Sequence, residues 1–91
     1  MQHFYTLTSP AVKEAAVILM EQNGTTTTLE VKQFLRAQGY WALQSDVSVC
    51  MQQLARANGW AFLDTGRFRI YFTDDSYDPE LTALIGDFYL N

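Results

Sequence analysis

The sequence has few of the side chains that catalysis or metal binding requires. Its 91 residues include one cysteine, Cys50, and one histidine, His3. A disulfide needs two cysteines, a zinc site needs three or four ligands, and a nucleophile needs a neighbouring base. Cys50 also falls on the apolar stripe of a predicted helix, where a buried thiol is usual. We therefore expect no catalytic residue, no metal, no cofactor and no enzymatic activity.

Long apolar runs are also missing. The longest run of purely apolar residues covers positions 15–20, whereas a membrane-spanning helix needs about 20 such residues. The first ten residues lack the basic start and the apolar stretch of a secretory signal. A single cysteine fits a reducing compartment. The sequence thus predicts a cytoplasmic protein that does not contact a membrane.

Basic residues are absent from the end of the chain. Residues 74–91 contain five carboxylates and no base, whereas residues 1–73 contain six basic and five acidic residues. The net charge of −4 therefore comes from the tail. A near-neutral body with an acidic tail is indicated. The length predicts one domain over residues 1–91, with a core at 9–73 and an acidic helical segment at 74–91.

Glycine and proline are scarce and fall where helices would begin or end. Ser9 and Pro10 predict the N-cap and first position of a helix that stops at Asn23-Gly24. Two further helices are predicted, over 29–38 and from about Ser45 to just before Gly59, with a turn at 40–43. The predicted inward residues of the three helices are Val12, Ala15, Ala16, Leu19, Val31, Phe34, Leu35, Val47, Cys50, Met51 and Leu54.

Short strands are predicted between and after these helices. Residues 25–27 are threonines that follow a helix stop, and Thr27 with Glu30 has the spacing of a capping box, with Thr28 as the alternative cap. Residues 2–8 could form an edge strand or an arm. Segments 60–63 and 67–72 predict a hairpin closed by Asp64-Thr65-Gly66. In its second strand the alternation predicts Phe68, Ile70 and Phe72 inward, with Arg67, Arg69 and Tyr71 outward.

A last amphipathic helix is predicted after Asp78-Pro79. Its apolar stripe consists of Leu81, Leu84, Ile85 and Phe88. The first helix is apolar beyond its inner stripe, at Val17 and Ile18, and this surplus needs cover. Either the last helix or a second subunit could supply it, and we expect a homodimer.

The third predicted helix and its exit carry a family resemblance. Gln44-Ser45-Asp46-Val47-Ser48, followed by Met51, Leu54 and Asn58-Gly59-Trp60, resembles the recognition helix and wing entry of winged helix-turn-helix domains. The pattern spans 9–73 and is also similar to small uncharacterised bacterial or phage proteins. It implies an α+β fold: a helix, a short strand, two helices and a β-hairpin wing, here with an extra C-terminal helix. Gly39 lies eight residues before Val47, so the turn is longer than in the compact motif.

The resemblance also implies a function and a set of contacts. The third helix would enter the major groove of duplex DNA, where Gln can pair with adenine and Arg with guanine, while cations of helix two and the wing would contact phosphates. The implied nucleic-acid-binding residues are Ser45, Ser48, Gln52, Gln53, Arg56, Lys32, Arg36, Arg67 and Arg69. The expected role is a non-enzymatic nucleic-acid-binding or transcription-regulatory module.

A second function stays open. The implied face carries little positive charge, and charge neutralisation supplies most non-specific DNA affinity. The same fold could instead serve as a protein-interaction adaptor or inhibitor that does not bind DNA. Aromatic side chains could also stack on single-stranded nucleic acid, although most should fill the core. Of these, Trp41, in the predicted turn, is the expected exception.

Overall fold

The computed structural model describes residues 4–73, which form an α+β fold with three helices and a small antiparallel sheet. The helices are α1 (Ser9–Asn23), α2 (Thr28–Ala37) and α3 (Gln44–Asn58). The strands are β1 (Tyr5–Thr6), β2 (Thr26–Thr27), β3 (Tyr40–Trp41), β4 (Ala61–Asp64) and β5 (Arg69–Phe72). The α+β class is confirmed. The predicted C-terminal helix and His3 lie outside the described residues.

The helix boundaries follow from local chemistry, with one correction. Thr8, not Ser9, is the N-cap of α1, because its extended backbone lets its hydroxyl accept a hydrogen bond from the Ala11 amide at 3.2 Å. Thr27 caps α2 as predicted and accepts from the Glu30 amide at 3.2 Å. Gly24 ends α1 with a φ of 81°, a left-handed conformation that glycine adopts without strain.

The three helices enclose the main core. Its fully buried members include Val12 of α1, Val31 and Leu35 of α2, and Val47 and Met51 of α3. On each helix the buried residues recur at three- or four-residue spacing, so one face of each helix is buried. On α1 the buried stripe ends at Met20, and the predicted Leu19 is only half-buried. Phe34 and Cys50 are also half-buried and pack against the core.

Two short sheets join distant parts of the chain. β1 pairs in parallel with β3, so part of the predicted turn at 40–43 is a strand. Of the two alternatives for residues 2–8, an edge strand or an arm, the structure has a short strand at Tyr5–Thr6. The antiparallel sheet has the order β2-β5-β4. Because β2 precedes α2 and pairs with β5, it ties the hairpin to the helices. In the register, Thr26 faces Tyr71 and Thr27 faces Ile70.

The hairpin differs from its predicted pattern at two residues. Its loop extends to Phe68, which is 53% exposed rather than inward, and Tyr71 is 1% exposed rather than outward. Strand alternation begins only at Arg69, because Arg67 and Phe68 belong to the loop. Both sheet faces are apolar: Tyr71 joins the helical core, while a second cluster forms from Ala61, Leu63, Phe72 and the half-buried Ile70. Tyr71 is therefore buried, although it lies on the same face of β5 as Arg69.

Residues 4–73 contain no helix long and apolar enough to span a membrane.

One buried polar atom lies beneath the sheet. Thr26 is fully buried, and its side-chain hydroxyl has no hydrogen-bond partner among residues 4–73. A buried hydroxyl without a partner costs about 1–3 kcal/mol relative to one that is satisfied.

We expect Thr26→Val to raise the free energy of unfolding by about 1–2 kcal/mol, because it removes this hydroxyl and keeps the β-branched shape. Thr27→Val is the matched control, since it removes the N-cap of α2 and should lower stability by about 1 kcal/mol. Urea denaturation followed by circular dichroism measures both. A Thr26→Val protein less stable than the wild type would show that the hydroxyl contributes favourably.

Candidate nucleic-acid interface

A groove runs between α3 and the β4–β5 hairpin. Its larger part has a volume of about 320 Å³. It is lined by Thr28, Gln44, Ser48, Gln52, Asp64, Gly66, Arg67, Phe68, Arg69 and Tyr71. A neighbouring cavity of about 200 Å³ shares Gln52, Arg69 and Tyr71 with it and adds Ala55, Arg56 and Phe62. We call the two together the α3–hairpin groove.

The helical wall of this groove is one side of α3. Ser48, Gln52 and Arg56 recur every four residues, so they form a row along the helix. The side of α3 that carries Val47 and Met51 is buried in the core, which fixes the rotation of the helix. Ser48 is half-buried, whereas Gln52 and Arg56 are exposed. The row therefore offers one hydroxyl, one amide and one guanidinium to a ligand.

Tyr71 lies at the base of the groove and connects it to the core. Its ring contacts Phe62 at a centroid distance of 6.0 Å and an interplanar angle of 49°. Burial raises the pKa of the Tyr71 hydroxyl above its ordinary value of 10.0, while hydrogen bonding to Arg69 and the positive charge of Arg69 act in the opposite direction. The nearby Asp64 charge also raises it. Burial is the largest of these effects, so the pKa of the Tyr71 hydroxyl is raised overall.

Arg69 is occupied by contacts within the hairpin. Its Nε lies 3.7 Å from the Asp64 carboxylate across the strands, and its guanidinium is 4.5 Å from the centre of the Phe62 ring. The ion pair is partly exposed and contributes about 0–1 kcal/mol to stability, yet it neutralises much of the local charge. Arg56 and Arg67 form no ion pair with a carboxylate of residues 4–73. They are the cations most available to a ligand here.

The hairpin loop is held in shape by its own polar side chains. Asp64 accepts a hydrogen bond from the Gly66 amide at 2.8 Å, and the Thr65 hydroxyl accepts one from the Phe68 amide at 3.2 Å. Gly66 has a φ of 88°, as the predicted turn required. This ordering directs Arg67 and Phe68 to the rim of the groove, where both are exposed.

The structure brings together five of the nine residues predicted to bind nucleic acid. Those in the α3–hairpin groove are Ser48, Gln52, Arg56, Arg67 and Arg69. Ser45 and Gln53 are exposed on α3 but do not line the groove.

The two cations of α2 lie elsewhere. Lys32 is half-buried and does not line the groove. Arg36 is exposed, donates from Nε to the Ala42 carbonyl at 2.7 Å and lies 5.8 Å from the Trp41 ring. Arg36 is therefore bound to the β3 segment rather than presented beside the hairpin.

Sequence reasoning missed three residues that shape the groove. Tyr71 was expected on an exposed face, Phe68 was expected inside, and Asp64 was considered only as part of the turn. The turn sequence Asp64-Thr65-Gly66 did contain a signal for Asp64, because an aspartate in a turn commonly accepts from the amide two residues later.

Metal binding and thiol chemistry find little support in residues 4–73. They contain no group of three or more His, Cys, Asp or Glu side chains that could hold a metal ion. Cys50 is half-buried against the core and has no disulfide partner.

No protein-family model, curated protein or solved structure matches this chain. The resemblance to winged helix-turn-helix domains thus stays a prediction, and function has to be inferred from the groove.

The raised pKa of Tyr71 predicts a pH-dependent loss of stability. The folded state favours the protonated phenol. The stability that this preference contributes is complete below about pH 10. It is lost at higher pH, where the unfolded chain releases the phenolic proton. Tyr71→Phe should lose less stability than the wild type between about pH 9.5 and pH 11. Urea denaturation across this range measures both proteins. Parallel pH dependences would contradict the prediction.

Proposed function

We propose that the chain is a winged-helix domain that binds duplex nucleic acid through α3 and the hairpin, without catalysis, and that it acts as a regulatory module. The observation that carries this proposal is that Ser48 and Gln52 of α3 share one groove with Arg67 and Arg69 of the hairpin. These side chains are distant in sequence yet form one polar surface.

The order of elements supports the fold part of the proposal. A helix, a short strand, two helices and a hairpin occur in this order from Ser9 to Phe72, with the two-residue strand β3 added between α2 and α3. The pairing of β2 with β5 fastens the hairpin beside the helices, so a ligand on α3 would also meet the hairpin.

The groove suggests a division of roles on DNA. A sugar–phosphate strand between α3 and the hairpin would bring its phosphates near Arg67, and the exposed Gln52 amide could form two hydrogen bonds with an adenine edge. Arg56 at the end of the row could contact a guanine or a phosphate. Because two cations of the groove are without an ion pair among residues 4–73, the expected affinity is modest and strongly dependent on salt.

Fluorescence anisotropy with a labelled duplex of mixed sequence tests this function. In low salt we expect saturable binding, and Arg67→Ala should reduce the slope of log affinity against log salt by about 1, because one fewer counterion is released. Lys13→Ala is the matched control: it removes the same charge from an exposed position of α1 outside the groove. Equal effects of both variants, or no binding by the wild type, would contradict the proposal.

The acidic tail is expected to oppose this binding. Five carboxylates without a base follow the hairpin, and their field would repel phosphates near the groove. A variant that keeps the chain length replaces each acid by its amide. The substituted positions are Asp74, Asp75, Asp78, Glu80 and Asp87. We expect tighter duplex binding in low salt, with the difference shrinking as salt rises; unchanged or weaker binding would reject the idea.

The second candidate function is a protein-interaction adaptor or inhibitor on the same fold. It is favoured by a cavity of about 250 Å³ beside the groove, lined by Thr27, Thr28, Leu29, Gln44 and Phe68. Leu29 is 45% exposed and Phe68 is 53% exposed, and exposed apolar side chains close together often mark protein contacts.

A pull-down from the native host compares these two functions. If the adaptor role holds, the Phe68→Ser variant should lose a protein partner that the Arg67→Ala variant retains. Neither variant should then bind duplex. If the Phe68→Ser variant retains the partner, this cavity is not part of the contact surface.

A further inference from the structure

Three exposed aromatic side chains, Phe4, Tyr5 and Trp41, line a second surface, which the proposed function does not use. Phe4 and Trp41 have ring centroids 5.5 Å apart, and Tyr5 and Tyr40 have centroids 5.4 Å apart. The parallel pairing of β1 with β3 brings them together, with Tyr5 opposite Tyr40 and Thr6 opposite Trp41. The two segments are more than thirty positions apart in the sequence.

This aromatic surface is open to solvent. Phe4 is 52% exposed, Tyr5 is 65% exposed and Trp41 is 55% exposed. Trp60 and Tyr71, by contrast, are almost fully buried, as expected for aromatics that fill a core. Large aromatic side chains that touch one another in water indicate a contact surface.

The surface borders a groove with a carboxylate in it. The groove has a volume of about 400 Å³ and is lined by Phe4, Tyr5, Thr6, Leu7, Trp41 and Asp46. Asp46 is exposed in the first turn of α3 and forms no ion pair with residues 4–73. We call this the aromatic groove. Its charge favours a ligand with a basic group and disfavours a phosphate.

Single-stranded nucleic acid is a poor fit to this groove. Stacking of bases on aromatic rings normally acts together with a cationic track for the backbone. Arg36, which lies over the Trp41 ring, does not line the groove, and its Nε is committed to the Ala42 carbonyl. Among residues 4–73, the charged side chain that lines this groove is Asp46.

Addition of a β-strand is also disfavoured. β1 and β3 have two residues each, so either edge offers few backbone groups to a pairing strand. Recognition here has to come from the rings and from their polar atoms. The Trp41 indole N–H and the Tyr5 hydroxyl donate no hydrogen bond within the described chain, so both can donate to a ligand.

We propose that the aromatic groove binds an extended, proline-containing peptide segment that carries an arginine or lysine. A polyproline II backbone has no internal hydrogen bonds, so its carbonyls can accept from indole and phenol donors. Its proline rings pack on aromatic faces, and its stiffness lowers the entropy lost on binding. Asp46 pairs with the basic side chain of the ligand.

Titration of the full chain with synthetic peptides tests the proposal. The first probe is a ten-residue peptide with several prolines and one arginine; the second has glutamate in place of that arginine, and the third has alanine in place of every proline. Tryptophan fluorescence reports binding, since Trp41 is exposed and Trp60 is buried. We expect saturable binding of the first peptide and at least tenfold weaker binding of the other two.

Three variants assign the binding to this groove, with isothermal titration calorimetry as the readout. Trp41→Ala should weaken the first peptide at least tenfold, and Asp46→Asn should bring its affinity close to that of the glutamate peptide. Phe68→Ala is the matched control, because Phe68 is about as exposed as Trp41 but lies on the hairpin loop, and it should bind normally. If Trp41→Ala fails to fold, Tyr5→Ala replaces it and should weaken binding likewise.

Other outcomes overturn the proposal. One is that the wild type does not saturate with the first peptide at millimolar concentration. Another is that Phe68→Ala weakens peptide binding as much as Trp41→Ala does. Binding of oligothymidine that depends on Trp41, without peptide binding, would assign the groove to nucleic acid instead. Arg67→Ala should leave peptide binding unchanged, so failure of the duplex experiment and failure of this one can be told apart.

Discussion

The pairing of β2 with β5 is the contact on which the rest of the arrangement depends. Thr26 faces Tyr71 in this register, so the backbone of β5 lies in the sheet while its tyrosine ring enters the helical core. The hairpin is thereby fastened to the helices from two directions. The buried Trp60 also joins α3 to β4, and the pairing of β2 with β5 adds the second attachment that fixes the hairpin beside α3. The unpaired Thr26 hydroxyl is a cost of placing a polar strand residue in the core.

The same contact limits the charge of the α3–hairpin groove. With Tyr71 buried, its hydroxyl lies beside Arg69, and Arg69 in turn meets Asp64 and the Phe62 ring. An arginine that sequence alternation would assign to a ligand is thus largely used to complete the hairpin. The cations left for a ligand are Arg67 on the loop and Arg56 on α3. This is why modest, salt-sensitive nucleic-acid binding is a better expectation than strong binding.

The features that sequence reasoning could predict were local ones. The cap at Thr27, the stops at Gly24 and Gly59 and the buried stripe of α3 each depend on residues within one or two turns of a helix. The error at Phe68 arose because the loop covers residues 65–68 rather than 64–66. The error at Tyr71 arose because alternation assumes one solvent-facing side, whereas both faces of this sheet carry an apolar cluster. The pairing of β1 with β3 could not be predicted from the sequence, because a strand of two residues shows no periodicity and the two strands lie far apart along the chain.

The position of α3 explains how residues 4–73 can present two different surfaces. At about 100° per residue, Asp46 and Ser48 are about 200° apart around the helix, so they face nearly opposite sides. Ser48 lines the groove beside the hairpin arginines, and Asp46 lines the groove beside the aromatic rings. Within residues 4–73, the cations Arg56 and Arg67 of the first groove and the carboxylate of the second form no ion pair. A polyanion and a basic peptide would therefore be drawn to different sides of the same helix, and neither would have to displace the other.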